Sequence, residues 1–246
     1  MNRANVDKRS PVPLYYQIKE TIKEKIEGGS LEPHERLPSE RELEEDYGIS
    51  RMTARRALTE LESEGYVYRE QGKGSFVAEP KLRQGLLQLT GFTEDMKNRQ
   101  MKPGARVLEN RVIEPDEELA NNLSIDSGSN VFLLQRVRFA EEEPLAIETT
   151  HLRYDLCEGI KDYDFSGRSL YTTLREEFNI TLSRAEQSVE ASLADEFEAK
   201  NLQVDQGDPM LITERTTYIG DEKTPIEYAR STYRGDRYKL FVKLKG

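Results

Sequence analysis

The stretch LPSERELEEDYGISRMTARRALTELESEGYVY, residues 37–68, decides the fold of the first part of the chain. Ser39 is followed three residues later by Glu42, which is the spacing of a capping box, so a helix is predicted to begin here. Gly48 then allows a tight turn, and Ser50 is placed to cap a second helix. Two short helices joined by a glycine-containing turn are typical of a helix-turn-helix.

Apolar residues at helical spacing predict which side chains form the core of this region. The predicted core positions are Leu43 and Tyr47 in the first helix and Met52, Ala57, Leu58 and Leu61 in the second. A further helix is predicted upstream, ended by Gly28 and Gly29, with a buried stripe of Tyr15, Ile18, Ile22 and Ile26.

Two short strands are predicted after these helices, at residues 66–69 and 75–78, joined by the segment EQGKG. Its glycines permit a close approach to another backbone, and Lys73 at the tip is placed to meet a phosphate. A Gly-Lys-Gly turn alone is usually only a hairpin, and it lacks the spacing of a phosphate-binding loop. The order of the elements therefore predicts a winged helix-turn-helix, which is a DNA-binding fold.

The charge of the chain argues at first sight against nucleic acid as a partner. The net charge is −10, and residues 1–80 contain 13 lysines and arginines against 16 acidic residues. The segment from Gly48 to Leu58, however, has no acid and three arginines, Arg51, Arg55 and Arg56. Arginines on a helix are often only a solvated face, but a small basic surface suffices to bind phosphates when the fold presents it to DNA.

Composition excludes several other classes of protein. A single cysteine, Cys157, excludes an internal disulfide, and with two histidines it makes a zinc site improbable. We predict no metal, no cofactor and no catalytic residue. No segment is long and apolar enough to cross a membrane, and the N-terminus has no apolar signal core, so a cytoplasmic protein without a membrane partner is expected.

The remainder of the chain predicts a second domain of the α+β class. We expect a DNA-binding domain over residues 1–78, a linker over 79–91 and the second domain over 92–246. Strand patterns cover residues 105–113, 130–139, 145–152, 184–191, 210–219, 226–233 and 239–243. Helical patterns cover residues 93–99, 116–122, 170–178 and 195–201. Short turns at 141–143 and 220–223 imply an antiparallel sheet with helices packed on it.

Charged residues occur in this domain where an alternating strand should be apolar. Arg136 and Arg138 flank Val137, so both guanidinium groups are predicted to point to one face of the sheet. Glu148 lies on the strand expected to pair with theirs. Cross-strand salt bridges without a ligand would explain any one such pair.

Further polar residues are predicted to join this face. Glu227 and Tyr233 are six residues apart on one strand and therefore share a side of it. Ser169 and Tyr171 begin a helix, whose N-terminus is a natural anion site. Two arginines, two carboxylates and a helix N-terminus together suit a small ligand with a phosphate and several hydroxyl groups.

The motifs LPSERELEEDYGISRMTARRAL and LESEGYVYREQGKGSFV resemble the DNA-binding domain of the GntR family of bacterial repressors. The resemblance implies that Arg41 and Arg51 contact operator bases and that the wing enters the minor groove. It adds five supporting DNA-binding candidates, Thr53, Arg55, Gly72, Lys73 and Gly74. Arg56 is a weaker candidate because that position varies in the family.

The motifs RVRF, PLAIETTHL, SLY and IEYARSTYRGDRY resemble the UTRA effector domain of the HutC branch of that family, a domain similar in fold to chorismate lyase. The resemblance implies a homodimer on a near-palindromic operator and a small-molecule effector. The chain most resembles members that control amino-sugar use, which implies glucosamine-6-phosphate or N-acetylglucosamine-6-phosphate. The effector-binding residues implied are Thr93, Arg136, Arg138, Glu148, Ser169, Tyr171, Glu227 and Tyr233.

Two alternatives stay open at the level of sequence. The regulator could respond to a different anion, such as another sugar phosphate or a carboxylate, because paired arginines do not name the anion. The second domain could also be a chorismate-lyase-like enzyme that uses Glu148 and Glu227 as an acid and base pair. Fold does not carry function, and the attached DNA-binding domain favours a sensor.

Overall fold

The computed structural model describes residues 6–79, 81–85, 88–220 and 223–242. The chain divides into two compact units, Met1–Leu82 and Arg83–Gly246. We call them unit 1 and unit 2 and describe each by itself.

Unit 1 contains the predicted winged helix-turn-helix. Its elements are α1 (Leu14–Glu27), α2 (Glu40–Tyr47), α3 (Arg51–Ser63), β1 (Val67–Glu70) and β2 (Gly74–Val77). The capping box is present, since the Ser39 side chain accepts from the Glu42 backbone N–H and the Glu42 side chain accepts from that of Ser39. Ser50 caps α3 in the same manner by accepting from the N–H of Thr53. Local hydrogen bonds thus fix where both helices begin.

The core of unit 1 follows the predicted stripes with one exception. Ile18, Ile22 and Leu43 are buried, as are Ala54, Ala57, Leu58 and Leu61 of α3. Met52 was expected in this core, but its side chain is 70% exposed. The reason is helical geometry: each residue turns the helix by about 100°, so Met52 lies nearly opposite Ala54 and Ala57. Ala54, two residues later, takes the buried place.

The wing is a two-stranded antiparallel hairpin in which Glu70 pairs with Gly74. Gly72 and Gly74 have φ of +77° and +123°, so the turn needs glycine at both positions. Tyr68 stacks on Phe76 across the hairpin, with ring centroids 5.6 Å apart. These contacts hold the wing in one register.

Unit 2 is built on a six-stranded antiparallel sheet. Its elements are β3 (Leu82–Gly85), which starts at the unit boundary, α4 (Phe92–Asn98), β4 (Pro103–Ile113), α5 (Glu117–Leu123), β5 (Val131–Ala140), β6 (Glu143–Arg153), α6 (Leu170–Glu177), β7 (Leu182–Leu193), α7 (Glu196–Leu202), β8 (Pro209–Ile219), β9 (Thr224–Arg234) and β10 (Tyr238–Phe241). The strand order is β4-β5-β6-β9-β8-β7, and β3 pairs with β10. The predicted helices and strands all occur, and each described end lies within two residues of its predicted position. Residues 221, 222 and 243, which the predicted turn and last strand include, lie outside the described residues.

Helices cover both faces of this sheet. On one face, α6 contributes Leu170 and Leu174 to a core that includes Phe132 and Ile226. On the other face, Leu202 of α7 joins a core with Val137 and Ile147, and α5 packs nearby through its own apolar residues. The sheet is therefore a rigid platform that can present polar side chains next to α6.

Candidate DNA-binding surface and effector pocket

A groove in unit 1 runs between the start of α3 and the wing. Four of the predicted DNA-contact residues line it: Arg41, Arg51, Gly72 and Gly74. Thr53 and Arg55 lie instead along a neighbouring groove on the outer side of α3, and Lys73 lines neither. The structure thus brings the predicted residues to one end of the recognition helix and to the wing beside it.

Acidic partners neutralise most of these cations. Arg41 Nε lies 2.9 Å from Glu45, Arg51 Nε lies 3.2 Å from Glu40, and Lys73 Nζ lies 2.7 Å from Glu70. Exposed pairs of this kind contribute only about 0–1 kcal/mol each. DNA phosphates or base edges can therefore replace the acidic partners of these cations. The pairs also explain how a unit with more acidic than basic residues carries cations on its DNA-binding surface.

The second site is a polar cavity in unit 2 between the sheet and α6. Thirteen of the seventeen residues that line it have polar side chains. Eight of its lining residues are the ones predicted from the sequence: Thr93, Arg136, Arg138, Glu148, Ser169, Tyr171, Glu227 and Tyr233. Five further polar residues were not predicted: Thr90, Asp95, Thr213, Arg215 and Ser231.

Strand register explains how distant segments meet in this cavity. Arg136 on β5 lies opposite Glu148 on β6, Glu148 lies opposite Ser231 on β9, and Ser231 lies opposite Thr213 on β8. A row of polar side chains therefore crosses four strands on one face. Ser169, the N-cap of α6, closes the cavity from above the sheet.

The two arginines form a buried cationic wall. Arg136 and Arg138 are only 2% and 3% exposed. Arg136 Nη2 donates to Glu148 Oε1 at 2.5 Å, and Arg138 Nη2 donates to Thr93 Oγ1 at 2.9 Å. Among the described residues, no hydrogen-bond acceptor reaches Nε or Nη1 of Arg136 or Nε of Arg138. Buried donors without an acceptor are costly, so this wall is suited to receive an anion.

Glu148 is the counter-ion of this wall. Burial opposes its ionisation, but the charges of Arg136 and Arg138 outweigh burial and lower the pKa of Glu148 to about 2. Burial and the neighbouring Arg136 charge also lower the pKa of Arg138, to about 10. At neutral pH the wall carries two positive charges and one negative charge, which leaves a net charge of +1.

The opposite side of the cavity is formed around Glu227, which is 2% exposed. Tyr171 donates its hydroxyl to Glu227 Oε2 at 2.7 Å, and Thr217 donates to the same oxygen at 2.6 Å. Burial raises the pKa of Glu227, although both hydrogen bonds and Arg215 act against burial. Glu227 and Tyr171 both line the cavity.

Comparisons with known proteins identify the family. A model described as bacterial regulatory proteins, gntR family, matches residues 14–77, and the UTRA domain model matches residues 98–239. The chain belongs to the GntR family. It is 45% identical to the HTH-type transcriptional repressor NagR of Bacillus subtilis (strain 168), over 95% of this chain and 96% of that one. It is 34% identical to the histidine utilization repressor of Pseudomonas putida, over 94% and 91%.

Solved structures agree with this assignment. PhnF from Mycobacterium smegmatis matches with a TM-score of 0.66 and 31% identity, over 93% of this chain and 99% of that one. This structural match and the sequence relatives identify the chain as a transcriptional repressor of the HutC branch of the GntR family. It has a DNA-binding domain and a UTRA domain for a small-molecule effector.

The same relatives decide against the enzyme alternative, because they are transcription regulators. The geometry agrees for one of the two carboxylates. With a pKa of about 2 and a hydrogen bond from Arg136, Glu148 stays ionised at neutral pH and cannot act as a general acid.

Among the described residues, no group of side chains could hold a metal ion, and no helix is long and apolar enough to cross a membrane.

Arg215 is the cavity residue that sequence reasoning most clearly missed in this GntR-family chain. It lies on β8, donates to the carbonyl of Thr90 and to the side chain of Gln187, and lines the cavity. The two-residue alternation of Thr213, Arg215 and Thr217 places all three on one face of β8, but it does not place β8 beside the cavity.

Proposed function

We propose that this GntR-family repressor acts in the cytoplasm as a homodimer on a near-palindromic operator and is released from it by a small phosphorylated amino sugar. The effectors expected are glucosamine-6-phosphate and N-acetylglucosamine-6-phosphate. The observation that carries the proposal is the buried pair Arg136 and Arg138, which line a polar cavity. Nε and Nη1 of Arg136 and Nε of Arg138 have no hydrogen-bond acceptor among the described residues.

The cavity supports a ligand with two chemically different ends. Arg136 and Arg138, with Thr93 and Ser169, suit a phosphate because charged donors bind such oxygens strongly. Glu148, Glu227, Tyr171 and Tyr233 suit the hydroxyl groups or the amine of a sugar, since they supply acceptors and phenolic hydroxyls. A bare inorganic anion would leave Glu148, Glu227, Tyr171 and Tyr233 without a ligand group to contact.

On the DNA side, we propose that Arg41 and Arg51 contact bases and that Thr53, Arg55, Gly72, Lys73 and Gly74 support them. We assign the DNA-binding domain to residues 1–78, a linker to 79–91 and the effector and dimerisation domain to 92–246. Three of the four cationic candidates are paired with acids. Two DNA-binding domains per operator would therefore supply affinity that one domain lacks.

Titration of a protein–operator complex tests the effector. The operator is selected from a random duplex library with the full chain, labelled, and followed by fluorescence anisotropy at fixed salt. Coupling energies between sites typically correspond to about 5–150-fold, so either amino-sugar phosphate should weaken operator binding within that range. By linkage, operator DNA must weaken effector binding by the same factor.

Matched ligands separate the parts of this proposal. Glucosamine and N-acetylglucosamine lack the phosphate, inorganic phosphate lacks the sugar, and all three should leave operator affinity unchanged. Equal release by glucose-6-phosphate would show that the amino group is not read and that the effector is a different sugar phosphate. Unchanged affinity with both amino-sugar phosphates would refute the assignment.

Gly91 allows a second test within the cavity. A Cβ at this position would lie 3.2 Å from Cδ2 of Tyr171, a ring that is tethered to Glu227 through its hydroxyl. We expect Gly91→Ala to displace this ring and weaken binding of glucosamine-6-phosphate by about tenfold, the effect of roughly one lost hydrogen bond. Isothermal titration calorimetry measures this, with Gly128→Ala as control because a Cβ there meets nothing within 4 Å. Equal affinities for the two variants would contradict the expectation.

A further inference from the structure

Met52 places a large apolar side chain in water at the start of the recognition helix. It is the second residue of α3 and is 70% exposed. Because the helix turns by about 100° per residue, Met52 lies on the side opposite the buried residues Ala54, Ala57 and Leu61. It therefore occupies the centre of the outward face in the first turn.

Cations surround this apolar tip. Arg51 and Arg55 lie on one side of it along the helix and Arg56 on the other, and all three are exposed. The Arg56 guanidinium is held 3.8 Å from the centroid of the Tyr15 ring and donates to Glu60. Met52 is therefore an apolar side chain among three exposed arginines, of which Arg51 and Arg56 also form ion pairs with glutamates.

We propose that Met52 reads the methyl group of a thymine in the major groove of the operator. This inference rests on the proposed DNA-binding face of α3. The thymine C5-methyl is the apolar group among the base edges of the major groove, whereas the other recognition groups donate or accept hydrogen bonds. A flexible thioether can follow such a methyl group, whereas it donates no hydrogen bond and accepts one only weakly. Burial of one methyl group corresponds to roughly a fourfold change in affinity.

The test removes the methyl group and nothing else. Each thymine of the selected operator is replaced in turn by deoxyuridine, symmetrically in both half-sites, and the affinity of the full chain is measured by fluorescence anisotropy. With two half-sites, the wild type should lose about 16-fold at one position. Met52→Ala should bind the unmodified operator more weakly by a similar factor and be insensitive to deoxyuridine at that position.

Control variants separate this inference from the proposed DNA-binding face. Val12→Ala truncates another exposed apolar side chain of unit 1, 40% exposed and outside α3, and should keep the wild-type deoxyuridine profile. Met52→Leu should keep most of the sensitivity because it remains apolar. A Met52→Ala profile identical to that of the wild type, or a wild type indifferent at every thymine, would overturn the role of Met52. If Arg51→Ala also binds the operator normally, the proposed face itself fails.

Discussion

Arg51→Ala is expected to abolish specific operator binding while leaving effector binding intact. Arg51 opens α3, its side chain is 71% exposed, and it forms an ion pair with Glu40 that DNA can replace. A bidentate arginine–guanine contact provides about 1–3 kcal/mol of discrimination. Two half-sites double this value, so affinity for the selected operator should fall by roughly 30-fold or more at fixed salt. Fluorescence anisotropy measures the loss.

Two further variants make the result specific to Arg51. Arg175→Ala removes the same charge from an exposed arginine of unit 2 and should leave operator affinity nearly unchanged. Glu40→Gln removes the acidic partner of Arg51 and a charge that repels phosphate, so it should strengthen binding by a few fold. If Arg51→Ala and Arg175→Ala bind the operator equally well, Arg51 does not contact bases.

Local signals made most of the elements predictable from the sequence. The Ser39–Glu42 capping box and the Ser50 cap are contacts between residues three apart, so their spacing is visible in the chain itself. The prediction that Met52 is buried is wrong because an apolar residue in the first turn of a helix need not face the core. The buried stripe begins instead at Ala54, a small residue whose contribution depends on what packs against it.

Pairing between strands that are distant in sequence limited how much of the cavity could be predicted. Arg136 and Glu148 were predicted to share a face because a short turn joins β5 to β6, and they are opposite one another. The position of β9 between β6 and β8 depends on contacts between residues about eighty apart, which no local pattern specifies. Arg215 was missed for this reason, since a single arginine on β8 gains meaning only when β9 brings that strand beside the cavity.

Arg136→Ala should have the opposite phenotype to Arg51→Ala, with operator binding kept and response to the amino-sugar phosphate lost. Arg136 is 2% exposed, lines the cavity and holds two buried donors that have no acceptor among the described residues. Its loss removes charge-assisted hydrogen bonds of about 1.5–3 kcal/mol each. Effector affinity should therefore fall by about 100-fold or more, as measured by isothermal titration calorimetry. Operator release should disappear at effector concentrations that release the wild type.

The same substitution leaves Glu148 buried with a weaker counter-ion, which costs about 3–5 kcal/mol of folding free energy for a broken buried pair. Because Arg136 and Arg138 lower the pKa of Glu148 to about 2, this carboxylate stabilises the wild type at neutral pH, and that contribution is lost as the pH falls from about 4.5 toward 2. In Arg136→Ala the pKa of Glu148 should rise, so acid unfolding should begin at higher pH.

The double variant Arg136→Met with Glu148→Gln removes both charges at similar volume and should recover stability. If that folded double variant still releases the operator at the wild-type effector concentration, Arg136 does not bind the effector.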